Sequence, residues 1–356
     1  MMPDDAADRL AADAARRYTG PDPNLRICKL GEGNINDTYL VQGREPAFVL
    51  QRINSHVFPQ PELVVENFLR VTEHIAARRP DLCSHWQDIR LIPTLSGEPL
   101  VRDIRGGVWR AQTYIGRTTT VETIDTADQA GQVGWALGTF HRLLSDLPVA
   151  SLRETLPGFH VLAAYLDHFD RVRFSWQEKP SAELRHCLDT VERHRKNMHF
   201  LKRAEEDGRL VPHIIHGDPK AANVLFRGDT GQAICLIDLD TVRPGLLLYD
   251  IGDCLRSCCN RAGEEGTGEV RFDADQGREI LAGYAAGAGR LFGPADRALV
   301  FDAVCLLSFE LGLRFLTDHL DGNRYFKTGN AGENLQRASR QFHLLADLIA
   351  AGDVFR

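Results

Sequence analysis

One stretch of this chain has the residue types and spacing for chemistry. It reads His213-Ile214-Ile215-His216-Gly217-Asp218-Pro219-Lys220-Ala221-Ala222-Asn223-Val224-Leu225-Phe226, turns at 227–232, and returns through Ala233–Ile237 into Asp238-Leu239-Asp240. An apolar strand dropping into a polar loop, followed by a hairpin, gathers Asp218, Asn223 and Asp238 near one strand end. That set suits phosphoryl transfer. An Asp can orient an acceptor hydroxyl and take its proton, while an amide oxygen and a second carboxylate hold magnesium, a hard cation that keeps several waters. Turn formation would account for any one of these residues alone, but not for the spaced set. Asp218 is thus the expected catalytic residue and Asn223 and Asp238 the expected metal ligands, with Asp240 on the acceptor side or structural. His216 is expected to tie the loop to the backbone at Asp238. Asp250 and Asp253 are expected to cap the following helix and brace the loop.

These groups need a nucleotide held opposite them. The first third of the chain reads as five strands and one helix: 26–30, 38–42 and 47–53 are strand-like, Pro61 and Glu62 open a helix to about Arg78, and two more strand runs flank Arg105-Gly106-Gly107. Gly31-Glu32-Gly33-Asn34-Ile35-Asn36-Asp37-Thr38 joins the first two strands, and such a loop can bring backbone N–H groups to phosphate oxygens. Gly31, Gly33, Asn34, Asn36 and Thr38 are therefore candidate nucleotide contacts. One strand later, Arg52 in Val49-Leu50-Gln51-Arg52 is the candidate phosphate cation, because a guanidinium can clamp phosphate with two hydrogen bonds. Glu66 on the following helix is its expected partner, with Glu62 as the rival.

From Thr126 onward the periodicity becomes helical. Val133, Leu137, Phe140 and Leu144 mark an amphipathic helix, and further helices are expected over 161–171, 181–206, 276–290, 295–320 and 333–351. Gly263–Gly268 reads as a surface loop. The fold expected is α+β in two lobes, residues 1–117 holding nucleotide and 118–356 carrying catalysis and acceptor, with a short hinge at 114–118.

Composition narrows the function. At 356 residues, two lobes are the natural size division, and the net charge of -7 with no basic block argues against nucleic acid. The chain has no apolar run of membrane-spanning length, and residues 1–17 lack a signal sequence's apolar core, so a cytoplasmic protein with no membrane partner is expected. Its eight cysteines, of which Cys254, Cys258 and Cys259 cluster, lack paired metal spacing and are read as reduced thiols.

His216-x-Asp218 with Asn223, then Ile237-Asp238, resembles the catalytic and metal motifs of the aminoglycoside phosphotransferase family. The resemblance implies the bilobal fold of protein kinases and an ATP- and Mg2+-dependent enzyme. A closer likeness runs from about residue 31 to 340. Gly33-x-Ile35-Asn36-Asp37-Thr38-Tyr39, the Gln51-Arg52-Ile53-Asn54 strand, Leu156-Pro157-Gly158-Phe159-His160, Asp238-Leu239-Asp240-Thr241-Val242-x-Pro244-Gly245 and Glu310-x-Gly312-x-Arg314-Phe315-Leu316-Thr317-Asp318 resemble bacterial N-acetylhexosamine 1-kinases. Departures are Gly217, where the pattern has Asn, and Asn34, where it has His. The likeness implies phosphorylation of the anomeric hydroxyl of N-acetylglucosamine or N-acetylgalactosamine, with Arg314 and Tyr325 contacting the sugar. For Arg314, pairing with Glu310 one turn away is the plainer alternative. The rival readings are a kinase of another small alcohol (an aminoglycoside, an amino alcohol or another sugar) and a nucleotide-binding pseudokinase.

Overall fold

A computed structural model describes residues 5–31, 35–43, 46–263, 266 and 268–355. The chain opens with helix α1 (Asp5–Thr19), which the sequence reading did not anticipate. Leu10, Ala11, Ala14, Ala15 and Tyr18 form its buried stripe and cover Tyr39, Phe48, Leu50 and Trp109 on one face of a sheet. That sheet is built from β1 (Arg26–Lys29), β2 (Asp37–Gln42) and β3 (Phe48–Ile53), then, after α2 (Pro61–Leu82), β4 (Leu91–Ile92), β5 (Val101–Arg102) and β6 (Val108–Thr113). Its six antiparallel strands, one more than expected, follow the order β1-β2-β3-β6-β4, with β5 also on β6.

The first sheet ends at Thr113, and the next strand, β7 (Thr118–Thr119), joins a different one. Helix α3 (Ala127–Leu143) is capped by Thr126, whose hydroxyl accepts the Gln129 N–H at 3.2 Å. Helix α4 (Leu162–Ser175) follows. The single helix expected over 181–206 is two, α5 (Ala182–His194) and α6 (Phe200–Glu206), because the chain turns between them to bury Met198. Strands β8 (His213–Ile215), β9 (Val224–Arg227), β10 (Ala233–Leu236) and β11 (Arg243–Gly245) form the pairings β10-β9-β7 and β11-β8. Five helices complete the chain: α7 (Leu247–Cys258), α8 (Ala274–Ala288), α9 (Pro294–Arg297), α10 (Val300–Leu320) and α11 (Glu333–Ala351). Of the loop expected at Gly263–Gly268, residues 264, 265 and 267 lie outside the described residues.

The main core sits among these helices. Helices α3 and α8 touch backbone to backbone: a methyl at Gly134 would overlap the Ile280 carbonyl, at Gly138 that of Tyr284, and at Gly287 that of Trp135. All eight cysteines are free thiols. Among the described residues no helix is long and apolar enough to cross a membrane.

Candidate active site

The loop leaving β8 is held from below by Asp250. Its carboxylate accepts the backbone N–H groups of His216 (2.6 Å) and Gly217 (2.8 Å), and it meets His141 Nε2 of α3 at 2.8 Å. Burial works to raise this carboxyl, but His141, His216 and the backbone donors hold it below the usual range. Asp250 therefore braces the loop as expected, but it does not cap the helix. It lies within the first turn of α7, whose N-cap is Leu246, and Asp253, also within α7, pairs with Arg256 at 2.8 Å. Gly217 has φ +86°, and a Cβ there would stand 2.7 Å from the Thr241 carbonyl, so glycine is the residue this turn admits.

Asp218, Asn223 and Asp238 converge. Asn223 Nδ2 donates to the Asp218 carbonyl (2.8 Å) and to Asp218 Oδ2 (3.3 Å). Lys220, which the sequence reading passed over, places Nζ 3.1 Å from Asp218 Oδ2. Burial would raise the Asp218 carboxyl, but Lys220 and His216 outweigh it and keep the group low and ionised. Asp238 sits in the left-handed region at φ +65°. The residue before it is held at both ends, since His216 Nε2 meets the Ile237 carbonyl at 2.9 Å and Ile237 N–H donates to the Asn223 carbonyl at 2.9 Å. This is the tie expected of His216.

The Asp238 carboxylate receives no hydrogen bond among the described residues, and its pKa is pushed up to about 7 by burial and by the charges of Asp240 and Asp218. Asp218 has Lys220 and Asp240 has Arg110, but no cation pairs directly with the Asp238 carboxylate, an oxygen donor that a divalent ion would satisfy, so the residues fit magnesium. Among the described residues no three His, Cys, Asp or Glu side chains form a cage by themselves.

On the nucleotide side the structure overturns the expected pairing of Arg52 with Glu66. Gly33 and Asn34 lie outside the described residues. Gly31 is left-handed (φ +70°) with open space where a side chain would be. Thr38 Oγ1 accepts from Gln51 Nε2 at 3.2 Å. Asn36 is buried and engaged, accepting the Asn54 N–H at 3.0 Å and donating to Asp240 Oδ2 at 2.7 Å. Arg52 does not pair with Glu66. Glu66 binds Arg70 one turn along α2 at 2.6 Å, and the rival Glu62 binds Arg102. Arg52 instead lies beside Trp109, 3.7 Å from Asp103 and 4.0 Å from Asp37. The reason is strand alternation: Arg52 shares the α1-facing side of β3 with Phe48 and Leu50, while Gln51 occupies the other face. On that other face, directly opposite Gln51, stands Arg110 of β6, buried and ion-paired with Asp240. Asp240 thus ties the sheet to the turn that carries Asp238.

A cavity of about 610 Å³ is lined by Val57 from the segment before α2 and by Leu156, Phe159, Tyr165, Arg314 and Tyr325, among others. The Arg314 guanidinium lies 5.3 Å from the ring centres of Phe159 and Tyr165, 5.4 Å from Phe326 and 5.8 Å from Tyr325. It makes no hydrogen bond or ion pair among the described residues. Glu310, the plainer partner, is taken by His160 at 2.7 Å. Thr155, next to Leu156 of the cavity, donates its hydroxyl to the Asp240 carbonyl at 3.1 Å. Asp253 is near enough for its charge to act on both Arg314 and Asp218. Sequence reading found Arg314 and Tyr325 but not the other three rings of the cage, which are dispersed along the chain and look like ordinary core residues.

The model of the APH phosphotransferase enzyme family matches residues 26–299, most of the chain. The chain belongs to that family. It is an α+β enzyme, a small-molecule phosphotransferase with the kinase-like fold. Solved structures that resemble this phosphotransferase include a microcompartment-associated aminopropanol kinase (20% identity, TM-score 0.67, covering 98% of this chain and 99% of the other). A choline kinase from Cryptosporidium parvum Iowa II is similar at 13% identity and TM-score 0.63, with 97% and 96% covered. An amicoumacin kinase in complex with AMP-PNP, Ca2+ and Ami is similar at 12% identity and TM-score 0.62, with 96% of each chain covered. At these identities the likeness is one of fold.

Proposed function

We propose that this phosphotransferase is an ATP- and Mg2+-dependent sugar kinase acting on the anomeric hydroxyl of N-acetylglucosamine or N-acetylgalactosamine. The lobes divide near residue 117, with nucleotide held by the sheet lobe and acceptor by the helical lobe. Asn223 and Asp238 would hold magnesium, which when bound neutralises phosphate charge. Asp218 orients the acceptor hydroxyl and takes its proton, and Lys220 keeps that carboxylate ionised. The neighbour solved with a nucleotide analogue and Ca2+ supports the nucleotide and divalent-ion part of this reading.

The observation that carries the acceptor class is Arg314. A cationic acceptor entering the cavity would meet the like charge of Arg314 at the ring cage, while the two aspartates that also line the cavity are engaged elsewhere, Asp318 by the backbone N–H groups of Arg324, Tyr325 and Phe326 and Asp321 by Arg324. A neutral polyol with an acetamido carbonyl instead offers oxygens to the guanidinium donors and an apolar sugar face to the rings. The amino-alcohol reading has in its favour the aminopropanol and choline kinases among the similar folds. A panel decides: N-acetylglucosamine, N-acetylgalactosamine, plain hexoses, choline, ethanolamine and aminopropanol, each with ATP and magnesium, read by phosphorus NMR. A sugar 1-phosphate is expected. Phosphorylated amino alcohols with inert sugars would refute the acceptor, and no turnover with any alcohol would favour a pseudokinase.

A further inference from the structure

We propose that Arg110 is a positioning residue of the nucleotide and metal site, acting through Asp240. The inference rests on nucleotide-dependent phosphotransfer and is independent of which acceptor is used. With Arg52 turned to the far side of the sheet, Arg110 is the cation that β6 presents toward the acidic loop. Its Nε and Nη2 donate to Gln51 Oε1 at 3.2 and 2.8 Å, and Nη2 also reaches Asp240 Oδ1. The other oxygen of Asp240 accepts from Asn36, in the connection between β1 and β2. Phe68 of α2 closes the site, its ring centre 4.8 Å from the guanidinium. Four segments therefore meet at one ion pair: the loop under which nucleotide is expected, β3, β6 and the turn that carries Asp238.

The pair is deeply enclosed, its side chains 1% and 2% exposed, and Nη1 of Arg110 is buried without a partner. An enclosed ion pair is a poor device for stability alone, because apolar residues of the same volume would hold the lobes together at least as well. What it adds is local. It cancels one of three neighbouring carboxylate charges, and it fixes the turn that sets the left-handed backbone at Asp238. Its other end anchors Asn36, so the phosphate-side loop and the metal ligand are held in one register.

The test is calorimetric binding of Mg·ADP, with melting temperatures, for wild type, Arg110→Met, Asp240→Asn and the double variant Arg110→Met/Asp240→Asn. Arg110→Met leaves a lone buried carboxylate and should lose both stability and binding. The double variant, with no unpaired charge, should recover melting temperature yet bind Mg·ADP at least about tenfold more weakly, as expected for loss of a charge-assisted contact. Should the double variant fail to fold, Asp240→Asn, which keeps the side-chain shape, should show the same weakening. Wild-type affinity in the double variant, or in Asp240→Asn where that one is decisive, overturns the inference and leaves the kinase reading intact. A wild-type protein that takes no Mg·ADP overturns both.

Discussion

Asp218 and Asp238 have the same side chain within one site, yet their protons are held differently. Lys220 and His216 keep Asp218 ionised, whereas burial, together with the charges of Asp240 and Asp218, pushes the Asp238 pKa up to about 7. The proposed division of labour follows from that contrast, and each half can be checked. Asp218→Asn should leave ATP binding in place and cut kcat by about 10²–10⁴, the range of general-base contributions, in steady-state assays. Arg314→Ala should raise acceptor KM by roughly ten- to more than a hundredfold through loss of a charge-assisted bond, with ATP KM nearly unchanged. A changed melting temperature with an unchanged acceptor KM would make Arg314 a packing residue. The acidic set was legible in the sequence because its members fall within one short hairpin, where spacing is local and residue chemistry specific. The aromatic cage was not, because Phe159, Tyr165, Tyr325 and Phe326 gather only after α4 and α10 pack together.

At the level of elements, the sequence reading placed the strands well but did not show which face of β3 Arg52 occupies. Both faces of β3 are buried, so its apolar pattern carries no alternation from which to tell that Gln51, not Arg52, faces the acidic loop. The same continuous burial hides Arg110 within β6. Helix α1 escaped notice because its composition is polar and alanine-rich on average, although its buried and charged residues fall on opposite faces. The seam between α3 and α8 gives a sharp element-scale prediction. Gly134→Ala would drive a methyl into the Ile280 carbonyl and should cost about 1–3 kcal/mol or more, seen as a lower urea midpoint. Gly131→Ala, one turn earlier on α3 with open space at its Cβ, should be neutral or gain up to about 1 kcal/mol from helix propensity. Equal losses at the two positions would mean that contact across the seam is not what demands glycine.

For the whole molecule, the two lobes communicate through a few buried polar ties. Asn67 of α2 donates to the Val242 and Arg153 carbonyls and accepts the Arg153 N–H, while Asp240 reaches up to Arg110 and Asn36. Asp240→Ala would strand Arg110 without a counter-charge and should cost about 3–5 kcal/mol, more than Asp238→Ala, which removes a carboxylate no protein donor satisfies. Thermal denaturation of both variants checks the order, and a milder effect at Asp240 would remove it from the inter-lobe tie. The bilobal plan was readable from the change of hydrophobic period near Thr126. These crossing ties were not, because each joins residues far apart in sequence. The glycine seam carries a different consequence for the lobe that holds it. Two helices in backbone contact, tied besides by the hydrogen bond between His141 and Tyr284, have little slack to rearrange, so α3 and α8 can separate only by opening the core around them. Their amides should therefore be among the last in the chain to take up deuterium, exchanging only when the helical lobe unfolds as a unit, while those of the short strands β4, β5 and β7 exchange early.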